Sequence, residues 1–394
     1  MCAALAKGES EILHPLVAED TEVAADVLSK IGVRIYKGDD LWRVNGGNLH
    51  APETDLYCGE SATTLRFMTA ICSLIPGRSR LTAGPSLSKR PVRPLVDALR
   101  KMGVKCTCHG DVAPVVVEGD KLRGGMTELP GDISSQFVSA LLLIAPFARK
   151  GLRIKVTSPL VSRPYVLITL RFLRKFGVEV SNDFGDFIVG PQVYVPAQCE
   201  VEGDWSSASY LLALGALSEE GVEIENLNSA SFQGDRALVD FLREIGALVT
   251  VTENSIIVKK SELEAIEADL SDCIDLLPAI AVLAGLTKGT SVFTGVEKAR
   301  LKESDRLSAV REGLRNMNIK AKEERSKLTV IGGEPVGAVI NARQDHRIAM
   351  AFSIPGTVAG DTTIEGAEYV AKTYPQFWEV LKSLGCKLEV IDGE

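Results

Sequence analysis

The sequence predicts an α/β (α+β) protein of two domains, each built from three copies of one unit of about seventy residues. The first observation is a recurring helix end, glycine, then β-branched strand: VLSKIGVRI, ALRKMGVKC, FLRKFGVEV, FLREIGALV, GLRNMNIKA and VLKSLGCKL. Its turn residues are Gly32, Gly103, Gly177, Gly246, Asn318 and Gly385, at intervals of 71, 74, 69, 72 and 67 residues. The second is an interleaved pattern whose glycines, Gly8, Gly77, Gly151, Gly221, Gly289 and Gly360, keep intervals of 69, 74, 70, 68 and 71. The third is length: 394 residues exceed the roughly 250–300 that one hydrophobic core serves.

Both landmarks have the chemistry of a helix C-terminus, where a left-handed residue, usually Gly and sometimes Asn, ends the helix. Each unit therefore holds two helices, each handing over to a strand, and such alternation packs sheets against helices. The Pro- and Gly-punctuated stretch 191–203 (PQVYVPAQCEVEG) separates the third unit from the fourth. It places a boundary between domains 1–201 and 202–394, the first repeat being incomplete.

Composition narrows the function. Apolar residues at 45% and charged residues at 24% are globular averages, and a net charge of −8 argues against nucleic acid as a bulk partner. The eight cysteines form no CxxC pair, which predicts reduced thiols in a cytoplasmic protein. The longest apolar run, 274–287, is broken by Pro278 and Gly285 and is too short for a membrane span. No leader signature precedes it at the N-terminus.

The repeat also predicts where chemistry sits. Ahead of the second-pattern glycines, helix starts carry GESATTLR, GDISSQF, GDWSSASY, DCIDLLPA and RQDHRIAM. Ser, Asp and Gly at such points are N-caps, and free N–H groups plus the helix dipole make each start a weak anion site. The other helices begin with AEDT, SKRPVRPL, VSRPYV, QGDRAL, KARLKESDRL and AKTYPQF. Parallel packing would aim several starts, with their Arg and Lys, into one positive cleft that suits a phosphorylated or carboxylated small molecule. Taken singly, each motif has a plainer explanation: an ordinary cap, a solvated Arg–Asp helix face, a structural histidine. Their shared phase in the repeat is what favours a site.

In order along the whole chain, SATTLR, SKRPVRPL, SSQF, VSRPY, GDWSSASY, DCIDLLP, RLKESDRL, QDHRIAM and AKTYPQF resemble the enolpyruvyl transferase family, specifically its 5-enolpyruvylshikimate-3-phosphate synthases (3-phosphoshikimate 1-carboxyvinyltransferases). The resemblance implies two domains of three βαβαββ units each, an inside-out α/β barrel, closing over shikimate 3-phosphate and phosphoenolpyruvate. It implies shikimate-phosphate contacts at Ser134, Ser135, Gln136, Ser162, Tyr165, Asp275 and Lys302. Phosphoenolpyruvate contacts fall on Ala62, Arg90, Gln136, Arg306, Arg347 and Lys372. Asp275 stands at the family's base position, and Glu303, Lys302 and His346 match its proton-transfer residues. The family chemistry needs no cofactor and no metal, because Arg and Lys stabilise the developing charge. The implied partners are small-molecule substrates, with no nucleic acid and no membrane, and a two-domain enzyme of this kind is expected to act as a monomer in the cytoplasm.

Two departures from the family pattern stand out. Where the family carries GNxGTxxR, residues 59–66 read GESATTLR, so Ala62 replaces a glycine and Glu60 an asparagine. The added methyl predicts weak inhibition by glyphosate. Gly8 also lies too near Met1 for the helix start that the repeat requires, and the family's Lys-Ser…Arg segment has no counterpart, so the sequence is expected to be N-terminally truncated and severely impaired as written. Two alternatives follow: a binding homologue that has lost catalysis, or a UDP-N-acetylglucosamine enolpyruvyl transferase. The latter family places a Cys before its Arg-Pro, where this sequence reads AGPSLSKRP.

Overall fold

The computed structural model describes residues 1–120, 122–253 and 255–391, and its architecture is mixed α/β with several small sheets. All twelve turn residues of the two sequence patterns lie at positive φ, from Asn318 at 63° to Gly8 at 124°. A side chain with a Cβ is strained there, which is why glycine holds eleven of them. The chain divides into two compact units, Met1–Val201 and Glu202–Glu394, each with its own apolar core.

One strand order recurs within the units. In the second repeat Leu56–Tyr57 pairs parallel with Gly77–Thr82, which pairs antiparallel with Val112–Gly119, and Lys105–His109 closes the hairpin edge. The helices Ala62–Ile71 and Arg93–Lys101 fill the crossovers, giving βαβαββ in chain order. The third repeat repeats this order with Gly125–Leu129, Leu152–Val156, Asp186–Val189 and Ser181–Asn182. The fifth does so with Glu267–Asp269, Thr290–Thr294, Lys327–Ile331 and Lys320–Glu323. In the first sheet the parallel edge position beside Gly8–Leu13 is taken by Gln198–Glu200, from the far end of the same unit.

Helix composition explains the layering. The helices that follow the edge strands are apolar nearly all round, and such helices belong inside a fold. Every residue of Leu277–Ala284 is buried, as are all but one of Ser135–Ile144 and of Trp205–Gly215. The second helix of each repeat is amphipathic: Leu238–Ile245 buries Leu238, Val239, Leu242 and Ile245 and turns its charges outward. Of the two breakers expected in the apolar run 274–287, Gly285 is the C-cap of Leu277–Ala284, and Pro278 lies at its start. In that first turn a missing N–H costs nothing.

The strand expected after Gly385 is not formed among the described residues. In the complete repeats that position pairs only with the last strand of its unit, as Lys320–Glu323 pairs with Lys327–Ile331. Residues 386–391 have no such partner among the described residues, and an extended segment without one leaves its backbone groups to water. The last sheet is accordingly the parallel pair Val339–Asn341 and Thr363–Glu365, and the sheet around Ser255–Lys259 has three strands.

Candidate active site

In the second unit, three helix starts and two turn ends bring a charged cluster together. Asp275 lies in the 3-10 turn Ile274–Leu276 that leads into Leu277–Ala284. Arg306 is the first residue of Arg306–Asn316, and His346 and Arg347 open His346–Ala359. Lys372 ends the turn Ala367–Lys372, and Lys302 follows the turn Glu297–Leu301 in extended conformation. The KESDR segment is therefore no solvated face: Arg306 is 1% exposed. Asp305 and Asp345 cap their helices by accepting the N–H groups of Ser308 and Arg347.

Arg306 organises this cluster. Its Nη1 donates to Asp275 Oδ1 at 2.6 Å, its Nη2 to Glu303 Oε2 at 2.6 Å, and its Nε to Asp345 Oδ2 at 2.7 Å. Lys302 Nζ stands 3.1 Å from Asp275 Oδ1, and Arg347 Nε 3.8 Å from the same oxygen. Lys372 Nζ donates to Glu303 Oε1 at 2.8 Å. Burial pushes the Asp275 carboxyl up, but Lys302, Arg347 and Arg306 together outweigh it and hold it well below the usual carboxylate range. Asp275 is thus an ionised acceptor ringed by cations. Burial drives His346 down to about 3, with Arg347 and Lys372 adding to the fall against Glu303 and Asp345, so its imidazole is neutral at pH 7. His346 Nδ1 is buried and makes no hydrogen bond.

Beside this cluster, Ser206 Oγ donates to Asp235 Oδ2. Burial pushes the Asp235 carboxyl up to about 7, helped by the charge of Asp275 and opposed by Arg347 and the Ser206 hydroxyl.

The first unit gathers a second group. Ser134 caps Ser135–Ile144 by accepting the N–H of Gln136, and Ser61 caps Ala62–Ile71 by accepting that of Thr64. Arg66, 4% exposed, donates to Ser134 Oγ at 3.0 Å, to Gln136 Oε1 at 2.7 Å and to the carbonyl of Pro91 at 3.1 Å, and lies 4.9 Å from the Phe137 ring centre. Gln136 Nε2 donates to Thr63 Oγ1 at 2.9 Å. Ala62 is the first residue of its helix, and Arg90, 9% exposed, follows the turn Leu87–Lys89. Ser162 occupies the N-cap position of Arg163–Lys175 in a left-handed conformation, without a side-chain cap bond, and Tyr165 lies in the first turn of that helix. That helix meets Ser135–Ile144 through the Ser139–Thr169 hydroxyl pair.

The sequence-predicted residues thus form two groups. Asp275, Lys302, Glu303, Arg306, His346, Arg347 and Lys372 lie in the second unit, and Ala62, Arg90, Ser134, Ser135, Gln136, Ser162 and Tyr165 in the first. Sequence reasoning missed Arg66 and Asp345, and it marked GDWSSASY and QGDRAL only as helix starts without joining Ser206 to Asp235. Arg66 carries a signal, as the lone charge of the helix ATTLRFMTAI. Asp345 carries another, as the N-cap immediately before His-Arg.

The family profile for EPSP synthase (3-phosphoshikimate 1-carboxyvinyltransferase) matches residues 1–381. The chain is 46% identical over 392 residues to a 3-phosphoshikimate 1-carboxyvinyltransferase of Dehalococcoides mccartyi, covering 98% of this chain and 93% of that one. It is 40% identical over 398 residues to the enzyme of that name from Methanocaldococcus jannaschii, covering 98% and 92%. Among solved structures, EPSP synthase from Acinetobacter baumannii superposes with a TM-score of 0.83 at 28% identity, covering 100% of this chain and 93% of that one. The enolpyruvyl transferase NikO from Streptomyces tendae, at 18% identity and a TM-score of 0.77 over 98% of this chain and 91% of its own, shares the fold.

Proposed function

Because this chain belongs to the EPSP synthase family, we infer that it transfers the enolpyruvyl group of phosphoenolpyruvate to the 5-hydroxyl of shikimate 3-phosphate, releasing phosphate. The observation that carries the reading is the buried Asp275 carboxylate held among Lys302, Arg306 and Arg347, with Glu303 bridged to Arg306 and Lys372. Two substrates that each carry a phosphate and a carboxylate require such cations. Guanidinium forks match these groups bidentately and Lys302 adds a point charge.

In this reading Ser134, Ser135, Gln136, Ser162, Tyr165, Asp275 and Lys302 hold shikimate 3-phosphate. Ala62 abuts phosphoenolpyruvate, which Arg90, Gln136, Arg306, Arg347 and Lys372 bind. Asp275 accepts the hydroxyl proton as the oxygen adds to C2, while C3 gains a proton from the group formed by Lys302, Glu303 and His346. A substrate phosphate that draws Lys302 away leaves Asp275 less neutralised, and so more basic, at the moment it is needed. Loss of phosphate and of a C3 proton then restores the double bond. His346, neutral and buried, would act by hydrogen bonding rather than by charge. The enzyme would work as a cytoplasmic monomer. The family match favours this reading over the UDP-sugar transferase and over a binding homologue.

The test is phosphate release by the purified chain given both substrates, against Asp275→Asn as control. Release that needs both substrates is the expected result. Calorimetric binding of shikimate 3-phosphate with no phosphate release would overturn the assignment.

A further inference from the structure

We propose that Glu60 positions Arg90 for phosphoenolpyruvate by clamping the loop that carries it, an inference that rests on the role given to Arg90 above. Glu60 lies just before the cap of Ala62–Ile71 and is half-buried. Its two carboxylate oxygens are both used by one neighbouring loop: Oε1 accepts the N–H of Ser86 at 3.1 Å, and Oε2 that of Leu87 at 2.6 Å. The same two segments also meet through backbone, with Cys58 N–H on Thr82 O at 2.9 Å and Gly84 N–H on Gly59 O at 2.8 Å.

Leu87 is the link to Arg90. It begins the turn Leu87–Lys89, and the N–H of Arg90 donates to the Leu87 carbonyl at 3.0 Å. Fixing Leu87 therefore fixes the residue on which the Arg90 backbone rests. On the far side, Arg66 Nη2 holds the carbonyl of Pro91. Arg90 is thus bracketed by two anchors, Glu60 and Arg66, that stand at the two ends of one short segment.

The clamp needs a carboxylate. A carboxylate offers two acceptor oxygens, whereas an amide in the same place would turn its NH2 toward one of the two N–H donors. It also needs glycine at position 84, because a Cβ there would overlap Glu60 Oε1 and stand 2.8 Å from its Cδ. Glu60 and Gly84 form a matched pair. A guanidinium moved by a fraction of an ångström from its binding pose loses much of its bidentate contact, so the consequence belongs in phosphoenolpyruvate affinity.

The experiment compares wild type with Glu60→Ala, Glu60→Gln, Gly84→Ala and the Glu60→Ala/Gly84→Ala double variant. It reads KM for each substrate, kcat, and the Kd of phosphoenolpyruvate measured without the second substrate, so that no turnover consumes it. Glu60→Ala and Gly84→Ala are each expected to raise the phosphoenolpyruvate KM and Kd on the order of tenfold, with the other KM and kcat within about twofold. Glu60→Gln should fall between, and the double variant should be no worse than the worse single one, because both changes break one clamp. An unchanged phosphoenolpyruvate Kd in Glu60→Ala, multiplying effects in the double variant, or equal loss of both substrates would overturn the proposal. Wild type that binds phosphoenolpyruvate without releasing phosphate would defeat the proposed function, while the Kd comparison would still decide the clamp.

Discussion

Replacing Arg306 by Met tests whether the charge cluster is held together as described. Arg306 is 1% exposed and Asp345 0% exposed, and the guanidinium reaches three carboxylates at once. After the change Asp275 keeps Lys302 and Glu303 keeps Lys372. Asp345 keeps the Ser304 hydroxyl at 2.9 Å and the Arg347 N–H at 3.0 Å, both neutral donors. Stranding a buried charge in this way costs about 3–5 kcal/mol. Burial alone pushes the Asp345 carboxyl up, and Arg306 is the first of the groups that hold it below its ordinary value. In wild type Asp345 therefore contributes stability that is present above the unfolded carboxylate range and is lost as pH falls. In the variant its pKa lies above that range, so acid relieves the penalty by up to about 1.4 kcal/mol per pH unit. Urea denaturation at pH 7.5 and 5.0, followed by tryptophan fluorescence, reads this directly. Trp205 and Trp378 report the second unit and Trp42 the first. A penalty below about 1 kcal/mol at pH 7.5, or one that is the same at pH 5.0, would refute the reasoning.

Three further outcomes are expected. Asp275→Asn should slow phosphate release by on the order of 10²–10⁴ while phosphoenolpyruvate still binds, as loss of a general base does; a tenfold loss or less in single-turnover assays would remove Asp275 from that role. Asp235, pushed up to about 7, binds its proton more tightly folded than unfolded, so it withdraws stability as pH rises from about 4 toward 7. Asp235→Asn should accordingly gain on wild type by up to about 1.4 kcal/mol per pH unit across that window in thermal melts, and a flat difference would exclude the shift. Ala62→Gly should sharpen glyphosate inhibition roughly tenfold or more, the worth of one methyl group in a tight site, whereas an unchanged inhibition curve would clear Ala62 of any part in it.

Much of the fold was legible because backbone conformation leaves local marks. Gly32, Gly103 and their counterparts reveal their helix ends without help, since a left-handed turn penalises any residue with a Cβ. Helix starts were legible too, because Ser134, Asp204 and Asp345 each satisfy N–H groups within three residues of themselves. The segment after Gly385 misled, as its strand depends on a partner that the local pattern cannot register.

The sequence by itself determined the repeat, the fold class and the residue types from which a site for anionic substrates could be assembled. Those follow from contacts a few residues apart and from a period that any reader can count. Only the tertiary structure decided that Arg306 is buried against three carboxylates, that Asp235 rests against Ser206, and that Glu60 grips the loop before Arg90. Those pairings join residues as much as about forty positions apart, and protonation states such as that of His346 depend on burial and on summed charge. Burial and long-range charge are properties of the packed chain, and no local pattern of residues encodes them.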